Sequence, residues 1–153
     1  YITDRRSVSF HPSGSNVYSS AGGTKPIKMV LPSDNWFGPT TFRIMFDLRN
    51  TEGDVAKLVR PLGQPYAFFR RMRVIAGGII IDDIDNFNKC SEMFSISTTK
   101  DSRTNINSEG WGDVDTKSGP STTTIGGIPG GDSATVLFKP LSGLFEITKY
   151  LPL

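Results

Sequence analysis

The side chains that most often act as nucleophiles, general bases or zinc ligands are almost absent from this sequence. Histidine and cysteine each occur once, as His11 and Cys90. A serine triad would have to use His11, a cysteine nucleophile would have to pair with it, and a His-Glu-x-x-His zinc site is excluded. We therefore predict no catalytic, cofactor-binding or metal-binding residues and expect that the protein is not an enzyme. A hydrolase on a β scaffold is the least favoured hypothesis.

Three carboxylates lie close together at Asp82, Asp83 and Asp85. Hard cations such as Ca²⁺ and Mg²⁺ bind carboxylate oxygens, so a metal site is one interpretation of this cluster. The spacing matches no EF-hand loop, and no further acidic ligand follows at a fixed offset. We prefer a second interpretation, in which these residues cap a following helix and remain exposed to solvent.

The densest basic cluster, Arg70, Arg71 and Arg73, follows an aromatic-rich segment at 66–69. Arginine and aromatic side chains on a sheet can bind single-stranded nucleic acid through phosphate contacts and base stacking. Arginines also pair with carboxylates across subunit contacts. The chain has 17 Lys and Arg against 15 Asp and Glu, a formal net charge of only +2. We therefore expect no specific nucleic-acid binding.

Two further features are of the kind that contact ligands. The glycine pairs 126–127 and 130–131 have the composition of a phosphate-binding loop, but no Walker lysine follows them, and we interpret them as loop residues. Trp36 and Phe37 precede a Gly-Pro pair. Large aromatics at such a place either cap a hydrophobic core, which we prefer, or stack on a ligand.

Alternating apolar and polar residues predict the strands that must position these side chains. The clearest segment is 42–50, where the apolar residues share one face: Phe42, Ile44, Phe46 and Leu48. Further strands are predicted at 27–31, 66–75, 79–81 and 134–138, the last ended by a proline.

The remaining segments predict a turn, a helix and a long loop. Gly77 and Gly78 supply the positive φ angles of a tight turn between two strands. Apolar and small residues then recur at spacings of three and four, which predicts a short helix over 84–95: Ile84, Phe87, Ser91 and Phe94. Residues 97–133 predict a long polar loop, functional or mobile, and 141–153 should pack against the core.

These elements favour an all-β fold, an antiparallel jelly-roll β-sandwich with one short inserted helix and long loops. The 153 residues suit one domain, and no stretch approaches the roughly 18 apolar residues of a membrane span. Residues 1–24 are predicted to be an N-terminal arm or edge segment, and 25–153 the jelly-roll domain. The apolar run at 150–153 leads us to expect an incomplete domain, the N-terminal part of a longer chain.

Several segments carry a resemblance to a viral family. Residues 69–78, Phe-Arg-Arg-Met-Arg-Val-Ile-Ala-Gly-Gly, precede Asp-Asp-Ile-Asp-Asn-Phe-Asn-Lys at 82–89 and Glu-Met-Phe at 92–94. Glu-Gly-Trp-Gly at 109–112 and the closing segments 138–145 and 149–153 fit the same pattern. The chain thereby resembles the first jelly roll of double-jelly-roll major capsid proteins, in the Polinton, adintovirus and virophage-like branch. Adenovirus hexon and the giant-virus capsid proteins are more distantly similar.

This resemblance implies a structural protein of the virion, assembled inside the host cell. Its family members carry two jelly rolls, form trimeric capsomers and build an icosahedral shell around double-stranded DNA. The implied partners are copies of the chain itself and minor capsid proteins. A complete member needs about 16 strands, more than this chain supplies, which again indicates part of a longer protein. The alternative is a lectin-like ligand-binding β-sandwich, in which Trp36, Phe37 or Trp111 stacks on a sugar.

Overall fold

A computed structural model describes residues 4–32, 35–59, 63–99, 101–102, 108–109 and 127–153. The chain divides into two compact units, residues 1–37 with 150–153, and residues 38–149. The helix α1 spans Phe87–Ile96. The strands are β1 Trp36–Phe37, β2 Ile44–Arg49, β3 Arg71–Ala76, β4 Ile79–Asp85, β5 Ser108–Glu109, β6 Ser133–Phe138 and β7 Leu151–Pro152. Strands thus outnumber helices among the elements of the described residues, which confirms the all-β prediction, while the jelly-roll sandwich stays a prediction.

In the first unit, β1 pairs antiparallel with β7. The strand predicted at 27–31 is wrong, because the backbone there is irregular and Ile27 and Val30 are exposed. A backbone hydrogen bond from the amide of Ser13 to the carbonyl of Lys28, 2.7 Å long, holds this segment. An apolar run becomes a strand only where another strand pairs with it, and the described chain supplies none here.

The second unit contains a three-stranded antiparallel sheet with the strand order β2-β6-β5. β2 and β6 pair from Ile44 opposite Phe138 to Arg49 opposite Ser133. The alternation predicted for 42–50 is confirmed, because every second residue of β2 is half-buried and the residues between are exposed. The strand predicted at 134–138 is confirmed as β6.

Aromatic rings cover the inner face of this sheet. The Phe46 ring makes edge-on contacts with Phe68, Phe69 and Phe138, with centroid distances of 5.9, 5.6 and 6.3 Å. Phe138 is fully buried, as are Val136 on the same strand and the neighbouring Ile128. The core of this unit therefore lies against the β2–β6 pair, where burial of such side chains stabilises the fold by about 1.5–3 kcal/mol each.

The segment after β6 closes one end of this core. Phe145 is buried and its ring stacks on Phe42, with centroids 4.5 Å apart and an interplanar angle of 9°. The predicted packing of the C-terminal segment is thus confirmed at Phe145 and wrong at Ile147, Tyr150 and Leu153, which are exposed.

A buried asparagine joins the loop after β2 to the segment before β6. The Asn50 side-chain amide donates to the carbonyls of Lys57 and Ile128 at 2.8 and 2.9 Å. Nearby, a Cβ on Gly130 would stand 2.2 Å from the carbonyl oxygen of Asp54. Only glycine permits this backbone approach, so Gly130 and Asn50 together fix how the two loops meet.

β3 and β4 form an antiparallel hairpin around Gly77 and Gly78, whose φ angles of 56° and 82° confirm the predicted turn. The register shifts beyond Val74, so that Asp82 faces Val74 while Ile80 faces Ile75. Ile81 is left without a cross-strand partner, which is a β-bulge. The predicted strand at 66–75 is wrong in its first half, because Pro65–Phe68 forms a 3-10 turn that begins with a proline.

The helix begins three residues later than the pattern predicts, since Ile84 and Asp85 still belong to β4. Asn86 follows in the left-handed conformation, with φ 52°, and turns the chain into α1. The Phe87 amide donates to the carbonyl of Arg70 at 2.7 Å, just ahead of β3. The helix start is therefore fixed by the base of the hairpin and not by an acidic cap.

Candidate functional site

The exposed face of the β3–β4 hairpin carries a charged network. Arg71 binds Asp83 through two parallel hydrogen bonds of 2.7 Å, from Nε to Oδ1 and from Nη2 to Oδ2. Arg73, directly opposite Asp83, donates from Nη2 and Nε to Oδ2 at 2.9 and 3.2 Å. One carboxylate thus binds two guanidinium groups, and Asp85, opposite Arg71, is the second negative charge on this face.

This network shifts the acid–base behaviour of its members. Hydrogen bonds from Arg71 and then Arg73 lower the pKa of Asp83 from 3.8 to about 2, because they stabilise the ionised carboxylate. The hydrogen bond to Asp83 likewise raises the pKa of Arg71. Asp83 is therefore ionised at neutral pH and is suited to holding charges in place, whereas a general base needs a pKa near the working pH.

The preferred interpretation of the acidic cluster is correct in one part, because Asp83 and Asp85 are exposed to solvent. The prediction that these residues cap a helix is wrong, because α1 has no side-chain cap and no acidic residue in its first turn. Asp82 instead accepts a hydrogen bond from the hydroxyl of Ser142, which ties the hairpin to the segment after β6. Within the described residues, no group of three His, Cys, Asp or Glu side chains assembles as a metal site.

The tip of the hairpin exposes isoleucines. Ile75, Ile79, Ile80 and Ile81 are between 50% and 72% exposed. The side chains at Ile75 and Ile80 face each other across the strands, on the side that carries Arg71 and Asp83. Exposed apolar side chains that lie together in this way are typical of a surface that another protein covers.

Helix α1 also exposes apolar side chains, and it buries two serines. Its buried residues are Phe87, Ser91 and Ser95, spaced by one helical turn. Met93, Phe94 and Ile96 are 71%, 62% and 71% exposed. The predicted inward face is therefore wrong at Phe94, and the helix presents its largest C-terminal apolar side chains outward. We refer to Met93, Phe94 and Ile96 as the α1 patch.

The remaining chemical candidates have individual positions in the structure. His11 is exposed in the first unit. Cys90 lies on α1, where its Sγ is 4.0 Å from the carbonyl of Asp85. Trp36 is 70% exposed, which contradicts the preferred interpretation that it caps a core, while its neighbour Phe37 is half-buried. Trp111 and the glycine at 126 lie outside the described residues.

Sequence reasoning missed the pairing of the arginines with Asp83. The Gly77-Gly78 turn predicts part of this pairing, because a two-residue turn pairs the residues that flank it and fixes the register of the hairpin. Counting back from that turn alone places Asp82 opposite Arg73. The bulge at Ile81 shifts the register by one residue, and Asp83 takes that place instead.

The hairpin tip and α1 thus each expose apolar side chains, and the hairpin also carries paired charges. In the described part of the chain, no helix has the length and apolar character needed to cross a membrane. No protein-family model, no curated protein and no solved structure matches this chain.

Proposed function

We propose that this chain is a structural subunit of a viral capsid. It corresponds to the N-terminal jelly roll of a double-jelly-roll major capsid protein. It assembles into trimeric capsomers, which tile the icosahedral shell of a DNA virus or a virus-like element. Its partners are copies of itself and minor capsid proteins, its location is the virion, and assembly takes place inside the host cell.

The observation that carries this proposal is the exposed apolar surface of the hairpin and α1. Four isoleucines at the hairpin tip and the three residues of the α1 patch are each at least half exposed. Ile75, Met93 and Phe94 lie within the segments that carry the resemblance to capsid proteins, and the other four residues lie directly beside those segments. Burying such side chains against copies of the same chain supplies the free energy that a shell needs, without any chemical step.

The strand content and the predicted N-terminal arm bear on the same proposal. The described residues contain antiparallel sheets of two, three and two strands, whereas a jelly roll has eight strands in two sheets, so the sandwich itself stays part of the proposal. Residues 4–9 and 13–19 of the predicted arm are exposed. We propose that residues 1–24 and residues 97–133 make assembly contacts or form exterior decoration.

The test is the molar mass of the polypeptide in solution, measured by size-exclusion chromatography with light scattering and followed by negative-stain electron microscopy. A trimer or a larger regular particle supports the proposal, and a stable monomer at every concentration refutes it. Deleting 1–24 should reduce particle formation more than it reduces thermal stability. Unchanged assembly would show that the arm has no such role.

A lectin-like β-sandwich is a second candidate, favoured by the exposure of Trp36. An indole that is 70% exposed can stack on the apolar face of a sugar ring. A glycan array, followed by fluorescence titration of the positive sugars, tests this function. Specific binding that Trp36→Ala abolishes, in a monomeric protein, would replace the capsid proposal. Binding that survives Trp36→Ala would remove Trp36 as the platform.

A further inference from the structure

The two outer edges of the β3–β4 hairpin carry opposite charges. Arg71 and Arg73 lie on β3, directly opposite Asp85 and Asp83 on β4, so that all four side chains share one face. The hairpin is a two-stranded sheet, and within the described chain neither outer edge pairs with another strand. We refer to the outer edge of β3 as the basic edge and to that of β4 as the acidic edge.

Each edge has hydrogen-bonding groups that form no hydrogen bond within the described chain. Arg71 and Arg73 direct Nε and Nη2 to Asp83, while Nη1 of both guanidinium groups has no acceptor in the described chain. The Asp85 carboxylate opposite Arg71 forms no ion pair there, and only its charge acts on the arginine. The basic edge therefore has spare donors and the acidic edge a spare acceptor, which together make charge-assisted hydrogen bonds.

The same two edges also carry apolar side chains. Ile75 on the basic edge and Ile80 on the acidic edge are 57% and 50% exposed. An exposed strand edge with apolar residues and unpaired backbone groups is a template for pairing with another chain. Charged side chains and β-bulges usually protect such an edge, and this hairpin has both. Because its two edges carry opposite charges, however, each edge can attract the other edge of a second copy.

We propose that hairpins of neighbouring copies pair edge to edge, with the basic edge of one copy against the acidic edge of the next. This inference rests on the proposed function, since it names the surface through which the subunits bind each other. Pairing two basic edges would place arginine beside arginine, and pairing two acidic edges would place aspartate beside aspartate. Like charges on adjacent strands destabilise a sheet, so the charges select the mixed contact.

The contact joins two different edges and is therefore heterologous. A heterologous contact closes into a ring when its rotation permits, and otherwise continues as an open chain. Three copies joined in this way would form a six-stranded ring of hairpins at the centre of a trimer. Every copy would then contribute both of its edges, and none would remain exposed.

A charge-swapped chain tests the contact without removing the charge pairs inside the hairpin. It carries Arg71→Asp, Arg73→Asp, Asp83→Arg and Asp85→Arg, so each strand takes the charge of the other. Basic and acidic edges then still meet between two wild-type copies or between two swapped copies. A mixed pair brings like charges together, and its association should be weaker by on the order of tenfold.

The experiment mixes ¹⁵N-labelled wild-type chain with unlabelled charge-swapped chain and counts mixed oligomers by native mass spectrometry. We expect self-sorting, with mixed oligomers well below the random proportion. Random mixing would overturn the edge contact and leave the capsid proposal intact. Preferential mixing would overturn it as well, because it would show that like edges meet. A wild-type chain that never associates would overturn both proposals.

A matched control and a second measurement guard against misfolding. Glu52 and Lys57 form an exposed ion pair of 3.3 Å in the loop after β2, so the exchange Glu52→Lys with Lys57→Glu should mix randomly with wild type. The wild-type chain alone gives the second measurement. Raising the ionic strength from about 0.05 M to about 0.5 M should weaken its association, because exposed charges are screened. Association that does not depend on salt would contradict the edge contact.

Discussion

Replacing two residues of the α1 patch with serine should weaken assembly and leave the fold intact. Phe94 and Ile96 are 62% and 71% exposed, so about two thirds of each side chain remains available for burial by a partner. Full burial of such a side chain is worth about 1.5–3 kcal/mol, which gives about 1–2 kcal/mol for each residue at an interface. The double variant Phe94→Ser/Ile96→Ser should therefore associate roughly 30- to 700-fold more weakly.

The folded monomer should tolerate the same change. Serine has nearly the helix propensity of phenylalanine and isoleucine, and neither side chain belongs to the core, so we expect the free energy of unfolding to change by less than about 0.5 kcal/mol. Sedimentation velocity measures the association, and urea unfolding followed by circular dichroism measures the stability. Val55→Ser, at a position that is 68% exposed outside the hairpin and α1, is the matched control. Unchanged association of the double variant, with its fold intact, would refute a role for the α1 patch.

Three further predictions concern the fold that holds this surface. Asn50→Ala removes the two donated side-chain hydrogen bonds and one accepted from the amide of Glu52, and should cost about 2–4 kcal/mol in urea unfolding; a loss below about 0.5 kcal/mol would contradict this. Gly130→Ala places a Cβ against backbone atoms and should cost about 1–3 kcal/mol, whereas Gly53→Ala, with open space around it, should be nearly neutral; equal effects would contradict the packing argument. Asp83, with its pKa lowered to about 2, should stabilise the hairpin fully above pH 3.8 and lose this effect as the pH falls towards 2. A carboxyl titration by NMR with a midpoint at or above 3.8 would contradict the ion network.

The sequence predicts the structure best where a single local pattern determines it. The alternation along β2 and β6 identifies both strands, because one face of each packs on the same aromatic core. The Gly77-Gly78 turn is equally clear, since the positive φ angles there favour glycine. These features depend on neighbours in sequence or on a single buried face, and a linear pattern records both.

The sequence predicts poorly where two distant segments decide the outcome. The run at 27–31 has strand composition and forms no strand, because pairing partners are not encoded in the run itself. The start of α1 depends on the amide of Phe87 reaching the carbonyl of Arg70. The loop-joining role of Asn50 links residues 78 positions apart. For the candidate surface, the pattern indicates apolar and charged residues but not which of them face outward.

The orientation of α1 connects these local choices to the proposed assembly. Ser91 is buried with no hydrogen-bond partner for its hydroxyl in the described chain, a state that costs free energy. Rotating the helix would exchange such positions for the α1 patch, but Phe87 is 1% exposed and its amide is bonded to the base of the hairpin. The helix therefore retains an unfavourable face in the single chain. Natural sequences keep such local conflicts mainly where function requires them. Here the conflict consists of a buried serine hydroxyl and an exposed apolar patch, and burial of the α1 patch between copies would remove the exposure of the patch.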